Sequence, residues 1–523
     1  MSLPNWIRPR SNVERHDVEA VNSAPSDKPL YEGRKKIFPK RANGRFRRLK
    51  WIIMAVTLGI YYLTPWLRWD RGPYAPDQAV LIDMANRRFY FFMVEIWPQE
   101  FFFVAGMLVM AGIGLFLVTS IAGRAWCGYT CPQTVWTDLF LVIERAIEGD
   151  RNARIRLENA PWSFDKITKR VSKHAIWLLI AVATGGAWIF YFADAPTLAM
   201  QFFYGEAPTI AYMTVAILTA TTYTFGGIMR EQICIYMCPW PRIQAAMLDE
   251  ESLTVTYNDW RGEPRGRGKK RQAAAGVQTG DCVDCNACVV VCPMGIDIRD
   301  GQQMACITCA LCIDACDDVM DKVGRDRGLI SYATLADYNA NMAMATNPES
   351  HRIDPARVHD EDGHVKPQYR HFNWRHLLRP RTFIYTGLWL AIGLALLFAL
   401  GLRDRLEVNV LHDRNPVFTR LSDGSIRNGY TIKILNMKPE PRTIRLGLEG
   451  LPGATMEVNE IADEEARSIA VPVNPDQLRQ LKVYVTVPRE NLAEDTTEFT
   501  FSVDDQIDEE HDSYSARFEV PEN

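Results

Sequence analysis

Cys282-Val-Asp-Cys285-Asn-Ala-Cys288-Val-Val-Val-Cys292-Pro293 and Cys306-Ile-Thr-Cys309-Ala-Leu-Cys312-Ile-Asp-Ala-Cys316-Asp317 hold eight of the twelve cysteines in one spacing written twice. Three thiols at i, i+3 and i+6 wrap a tight loop around one cubane, and a fourth ligates the other cluster. The spacing predicts two [4Fe–4S] clusters. Cys282, Cys285, Cys288 and Cys316 hold the first; Cys306, Cys309, Cys312 and Cys292 hold the second. Zinc knuckles and disulfides are the alternatives, but zinc sites set two ligand pairs across a long spacer and do not interleave two three-plus-one sets. Asp317 stands where a second proline would match Pro293. That departure bears on turn geometry or cluster potential and removes no ligand.

Around this run the 523 residues alternate sharply between apolar and charged stretches. Trp51–Trp66, Phe101–Gly123, His174–Phe192, Pro208–Met229 and Thr382–Leu402 contain no Asp, Glu, Lys or Arg. About 17 to 25 such residues cross a bilayer as a helix. Five spans are expected, Trp51–Trp66 being the shortest. Basic residues crowd the loops before the first span (Arg34 to Lys50), between the second and third (Arg145 to Lys173) and between the fourth and fifth (Arg261 to Arg271). The positive-inside rule then puts the N-terminus in the cytoplasm and the C-terminus outside. Beside a span, the basic run at 34–50 reads as a topology signal in contact with membrane lipid. The net charge of −4 argues against nucleic acid as a partner. All twelve cysteines fall toward the cytoplasmic side, where a reducing compartment suits clusters and free thiols.

The expected organisation is a disordered, basic cytoplasmic N-terminus at 1–50, four spans in 51–229, and a cytoplasmic segment at 230–381 with a ferredoxin domain at 275–320. A fifth span at 382–402 and a periplasmic domain at 403–523 follow. Residues 1–33 lack periodicity and read as disordered. The aromatic segment Phe89–Pro98 reads as an interfacial helix. His351, His359, His364, His371 and His376 lie in an irregular stretch that reads as a solvated linker, with a metal relay as the alternative. In 403–523, apolar residues alternate at Tyr430/Ile432/Ile434, Ile444/Leu446/Leu448, Val483/Val485/Val487 and Phe499/Phe501/Val503. Short strands separated by turns predict a β-sandwich, immunoglobulin-like in architecture. Its acidic clusters Asp463–Glu465 and Asp508–Glu510 read as a solubilising surface.

The other four cysteines form two matching motifs, Cys127-Gly-Tyr-Thr-Cys131-Pro132 and Cys234-Ile-Tyr-Met-Cys238-Pro239, each just past an expected span. Residues four apart on a helix share one face, so each pair can aim two thiols at one ion. Soft thiolates favour Cu(I), zinc or iron–sulfur centres, and Met237 could add a thioether. Small buried residues at helix ends are the plainer alternative.

The segments Gly123–Trp136, Arg230–Pro239 and Gly280–Asp317, with the Gly295-Ile-Asp-Ile-Arg-Asp-Gly301 spacer and Trp97-Pro98-Gln99, closely resemble the CcoG family, also called FixG or RdxA. Members are accessory proteins for cbb3-type cytochrome c oxidase in bacterial inner membranes. The resemblance implies a mixed fold: an α-helical integral membrane protein with an inserted two-[4Fe–4S] ferredoxin domain and a C-terminal immunoglobulin-like β-sandwich. It implies an iron–sulfur oxidoreductase, a cupric reductase supplying Cu(I) to oxidase assembly, with copper as substrate or bound ion. Cys127, Cys131, Cys234 and Cys238 match the family's Cys-x-x-x-Cys-Pro motifs and become the catalytic, copper-handling thiols. The implied partners are a copper transporter or oxidase assembly proteins. A homodimer stays open. No strand-then-Gly-x-Gly-x-x-Gly-then-helix unit marks a flavin or nicotinamide site, so the electron donor is a quinol or a redox protein. Two other readings stand beside this one: a quinol dehydrogenase serving a periplasmic partner, and a non-enzymatic copper-binding scaffold.

Overall fold

The computed structural model describes residues 13–22, 35–266, 279–370, 377–459, 461, 466–491, 496–507 and 510–521. The chain divides into two units, Met1–Pro65 with Phe102–Gly393, and Trp66–Phe101 with Leu394–Asn523.

Long helices dominate the first unit. They are Arg45–Leu63, Phe101–Ala122, Pro132–Glu148, Phe164–Ile189, Thr209–Thr222 and Pro380–Gly401. The stretches Pro98–Ala122 and Pro380–Gly401 are long and apolar enough to cross a membrane, and almost none of their apolar surface is packed inside the protein. The other three expected spans are also helical, with differences. Arg45–Leu63 and Phe164–Ile189 begin in charged turns. The fourth leaves the α pattern at Tyr223 and finishes as a π-helix, Tyr223–Met229. Between the third and fourth expected spans, residues 194–207 contain a further helix, Ala195–Tyr204, capped by Asp194 and ended by left-handed Gly205.

The cysteine-rich region sits against the start of the first helix. The Asp314 carboxylate, from helix Leu311–Val323, accepts the backbone N–H groups of Phe46 and Arg47 at 3.2 and 2.7 Å. Those donors are free at any helix N-terminus, so one carboxylate both caps the helix and docks it. Arg47 reaches on to Asp138 at 2.8 Å in a buried ion pair with helix Pro132–Glu148. Strands Thr254–Tyr257 and Ile330–Ala333 pair antiparallel, joining the two ends of this region.

Two expectations fail here. Within the stretch read as disordered, residues 13–22 form a strap: the N–H of His16 donates to Cys285 O, and those of Val21 and Asn22 donate to Gly295 O. Its apolar Val13 and Val18 pack on the cysteine-rich core, which composition alone does not reveal. The remainder of 1–34, the basic residues 267–271, His371 and His376 lie outside the described residues. The histidine stretch is not a free linker either. Val358 and Tyr369 are buried, Tyr369 stacks on Trp260, and His359 Nε2 lies 3.2 Å from Asp281.

The second unit is a β-sandwich. One sheet runs Thr455–Val458, Gln477–Val487, Ile426–Asn436, Leu406–His412, with Thr419–Arg420 beside Ile426–Asn436. The other runs Ser468–Val473, Arg442–Glu449, Thr497–Asp505, His511–Phe518. All pairings are antiparallel. All four alternating triplets noted in the sequence face the shared core. Asp463–Glu465, Asp508 and Glu509 lie outside the described residues, and Glu510 is paired with Arg442 and Lys438 rather than free on the surface.

Phe89–Pro98 is not an interfacial helix. Val80–Asp83, Arg88–Phe91 and Val94–Ile96 form a three-stranded antiparallel sheet, turning at Phe92 and Met93 with Phe92 in the left-handed region at φ 51°. Aromatic and β-branched side chains suit a pleated surface, and the two-residue turn sets the register. Arg88 lies 3.8 Å from the Trp97 ring centroid, 3.2 Å from Glu95 and 3.7 Å from Asp476.

Burial, then the nearby Asp476 charge, pushes the Glu95 carboxyl up to about 7 despite Arg88. A carboxyl raised in the folded state stabilises fully below its unfolded value of 4.5 and loses that contribution as pH rises to about 7. The thermal stability of the sandwich unit in the full chain should therefore fall across that window by on the order of 3 kcal/mol. Glu95→Gln should flatten the profile; an equally steep profile in the variant would assign the titration to another group.

Candidate metal centres

The two cysteine runs fold as two copies of one loop. Left-handed residues flank the middle cysteine in each: Asp284 (φ 50°) and Asn286 (φ 59°) around Cys285, Thr308 (φ 50°) and Ala310 (φ 60°) around Cys309. A non-glycine residue held there costs roughly 1–2 kcal/mol, and such strain persists only where the surroundings enforce it. Arg299 enforces the first loop, donating to Asp284 Oδ1 at 2.8 Å and Asn286 Oδ1 at 2.7 Å while paired with Asp297 at 2.6 Å. Tyrosines enforce the second: Tyr332 Oη donates to Thr308 O at 2.8 Å, and Tyr129 Oη donates to Cys309 O at 3.2 Å.

The eight thiols line two small cavities. Cys282, Cys285, Cys288 and Cys316 line one, with Tyr257, Met320 and Leu329. Cys292, Cys306, Cys309 and Cys312 line the other, with Ile296, Ile307 and Leu311, and Cys288 reaches both. These are the two sets that the spacing pairs. Burial first, and then neighbouring thiols, pushes Cys292 up to about 12. Burial raises Cys306 to about 11, and burial with the other thiols holds Cys312 and Cys316 well above the ordinary thiol value. Thiolates form in such a place only when a bound cation supplies compensating charge. Dry, sulfur-lined cavities with strained loops around them fit an iron–sulfur cubane. Among the described residues no three His, Cys, Asp or Glu side chains converge as a single-ion site.

The two Cys-x-x-x-Cys-Pro motifs do not lie on continuous α-helices as expected. Cys127 sits in the short helix Ala125–Tyr129, and Cys131 caps the next helix, which Pro132 opens. Cys234 sits in a π-helix, Ile233–Met237, with Cys238 at its end. Each proline disfavours helical geometry in the residue before it and starts a new helix. Cys127 and Cys234 nevertheless share one apolar cluster. Burial raises Cys127 to about 11 and Cys234 to about 12, each lifted further by Cys131 and Cys238 and lowered by Arg124. Met237 is exposed. Cys127 Sγ donates to Gln244 Oε1 at 3.0 Å, and Gln133 Nε2 donates to Phe225 O at 2.8 Å and Arg230 O at 3.1 Å. Each motif is thus fastened to backbone or side chain from the other's segment.

This thiol group abuts the second cavity. An added Cβ at Gly128 would stand 2.7 Å from Ile307 O and 3.0 Å from Cys309 Cα. Arg124 donates to Met304 O and also lowers Cys306. Behind the motifs lies a buried charge network. Arg154, Lys173 and Arg230 surround Glu144 at 2.5, 3.6 and 3.0 Å, and Lys173 reaches Glu148 at 2.8 Å. Burial opposes ionisation of Glu144, and the three cations outweigh it, so it is held below its usual range.

Arg299, Gln244, Tyr129 and the 13–22 strap were not singled out from the sequence as site residues, and His359 only as one of several histidines of a linker or metal relay. Only the Gly295–Gly301 spacer carried a local signal, through Arg299. Burial opposes ionisation of Asp281, next to Cys282, and His359, Arg261 and Arg325 outweigh it to keep the carboxylate charged.

Comparison with known proteins places these features in context. Residues 229–335 match a family described as a 4Fe-4S dicluster domain, and residues 103–148 one described as a 4Fe-4S binding domain. Residues 396–521 match the IG-like fold at the C-terminal of FixG. The chain is 66% identical over 512 residues to the nitrogen fixation protein FixG of Rhizobium meliloti, covering 98% of both. It is 54% identical to protein RdxA of Cereibacter sphaeroides over 461 residues, 88% of this chain and 91% of that one. Protein RdxB of the same organism is 57% identical over 453 residues, 84% of this chain and 90% of that one.

Gly128→Val should force the first motif off the Cys309 loop and destabilise the first unit by on the order of 1–3 kcal/mol. Thermal unfolding of the full chain reads this; an unchanged midpoint would mean that the two backbones do not meet.

Proposed function

This chain belongs to the FixG family, and we propose that it is a membrane-bound iron–sulfur oxidoreductase that reduces Cu(II) to Cu(I) for assembly of cbb3-type cytochrome c oxidase. The observation that carries the reading is the packing of Cys127-Gly128-Tyr129 against Ile307–Cys309, which sets the first thiol motif beside a sulfur-lined cavity, with Cys234 in the same cluster. In this reading Cys282, Cys285, Cys288 and Cys316 hold one [4Fe–4S] cluster, and Cys306, Cys309, Cys312 and Cys292 the other. Such clusters, when bound, supply one-electron transfer.

The chain's own groups then have defined parts. Cys127, Cys131, Cys234 and Cys238 offer sulfur to Cu(I), which prefers soft ligands. Arg124 favours the thiolate forms of Cys127 and Cys234, and Gln244 orients Cys127. In this reading copper is the substrate that these thiols receive and pass on. The bilayer reading places the N-terminus in the cytoplasm, the sandwich in the periplasm and five helices across the inner membrane, supported by the two apolar helices and the basic loops. The electron donor is a quinol or a redox protein, and the Cu(I) acceptors are oxidase assembly proteins or a copper transporter.

Anaerobically purified protein should contain about eight iron atoms per chain, as two cubanes require. Replacing Cys127, Cys131, Cys234 and Cys238 by Ser should leave that iron in place and abolish Cu(II) reduction, measured with a Cu(I)-specific chelator. Unchanged reduction in the fourfold variant would remove these thiols from the mechanism.

A further inference from the structure

Helix Phe164–Ile189 and the start of the π-helix Tyr223–Met229 border an open cleft of about 490 Å³, lined by Trp162, Ile167, Arg170, Val171, His174 and Tyr223. Ile167, Val171 and Leu178 are exposed along it, and Trp162 is 75% exposed. An apolar opening of this kind suits a molecule dissolved in the bilayer. Yet the cleft also holds one polar pair, His174 Nδ1 and Tyr223 Oη, 2.8 Å apart. Among the described residues the Nε2 of His174 has no hydrogen-bond partner.

That pair is chemically two-sided. When Tyr223 donates to Nδ1, the neutral ring carries its proton on Nε2 and donates outward. When Nδ1 donates to the Tyr223 oxygen, Nε2 accepts. The same atom can therefore donate to a carbonyl or accept from a hydroxyl without a net charge entering the apolar cleft. A lipid-soluble p-quinone has that pair of forms: two carbonyls when oxidised and two hydroxyls when reduced. A phospholipid phosphate would instead call for an available cation, and Arg170, the one lining the cleft, is already engaged with Glu148 at 3.4 Å and with Glu158.

We propose that this cleft binds the headgroup of a membrane quinone in both redox forms, with His174 and Tyr223 as its polar contacts and the tail lying along Val171 and Leu178. The proposal rests on the reading of the chain as a membrane oxidoreductase and names its electron donor. The cleft is physically continuous with the thiol motifs. Trp177 packs edge-on to His174 at 5.2 Å and carries the Arg230 guanidinium on its ring at 5.2 Å. Arg230 ends the π-helix that Tyr223 begins and stands four residues before Cys234.

The test uses the full chain in lipid nanodiscs and a decyl-tailed p-benzoquinone, with bound quinone counted after equilibrium dialysis and extraction. One saturable site per chain is expected. His174→Phe should weaken it at least about tenfold, and Tyr223→Phe, which keeps the ring, about threefold or more. Iron content should remain that of the unaltered chain in both. Equal affinity in both variants, or uptake that follows the lipid content instead of the protein, overturns the site. So does a tightly held phospholipid that the quinone fails to displace. Cu(II) reduction is read on the same samples after the protein has been pre-reduced with dithionite and the excess removed by gel filtration, so that the stored electrons bypass the cleft. If it fails while quinone binding stands, the copper reading falls and the cleft remains; the reverse result removes the cleft alone.

Discussion

The backbone of Cys127-Gly128-Tyr129 lies against that of Ile307–Cys309 with no room for a side chain between them. The seat of the first Cys-x-x-x-Cys-Pro motif on the second ferredoxin-type loop follows from that contact, and the Tyr129 hydroxyl then fixes the Cys309 carbonyl. Cys127 is left beside Gln244, and the second motif is drawn in from the other side. Glycine is required at position 128 for approach, not for backbone freedom.

Charges buried around this contact give it direction. Asp314 belongs to the cysteine run yet caps the first long helix, and Arg47 of that helix pairs with Asp138 on the helix that Cys131 opens. On the far side, Glu144 is shared among Arg154, Lys173 and Arg230. Buried ion pairs add little net stability, because desolvation offsets their attraction, but removing one partner costs about 3–5 kcal/mol. Their effect here is to admit one docking arrangement of helices and cysteine loops. Left-handed Arg230, pulled toward Glu144 and the Trp177 ring, shows strain held by that network.

Some readings failed for physical reasons tied to particular residues. The aromatic run at Phe89–Trp97 looks amphiphilic in any conformation, and only its turn at Phe92–Met93 and its pairing to Val80–Asp83 make it a sheet. The strap at 13–22 has a disordered composition; it is ordered by backbone bonds to Cys285 and Gly295, contacts more than 250 residues away in sequence. His359 reads as one of several solvated histidines until the fold carries it back to Asp281.

The sequence by itself determined the parts whose chemistry is local. Cysteine spacing set the two loops and the partition of eight thiols, because ligand wrapping depends on a few adjacent residues. Alternation set the sandwich strands, because a pleat turns successive side chains to opposite faces. The prolines at 132 and 239 were equally legible, but their effect, breaking each thiol pair away from one continuous helix, was not foreseen. Tertiary structure alone decided that Cys127 and Cys234 share one cluster beside the second cavity, and that Gln244 and Tyr129 hold the loops. Those facts depend on close approach between segments more than 100 residues apart, where a missing Cβ or one hydrogen bond selects the arrangement and leaves no periodic trace in the chain.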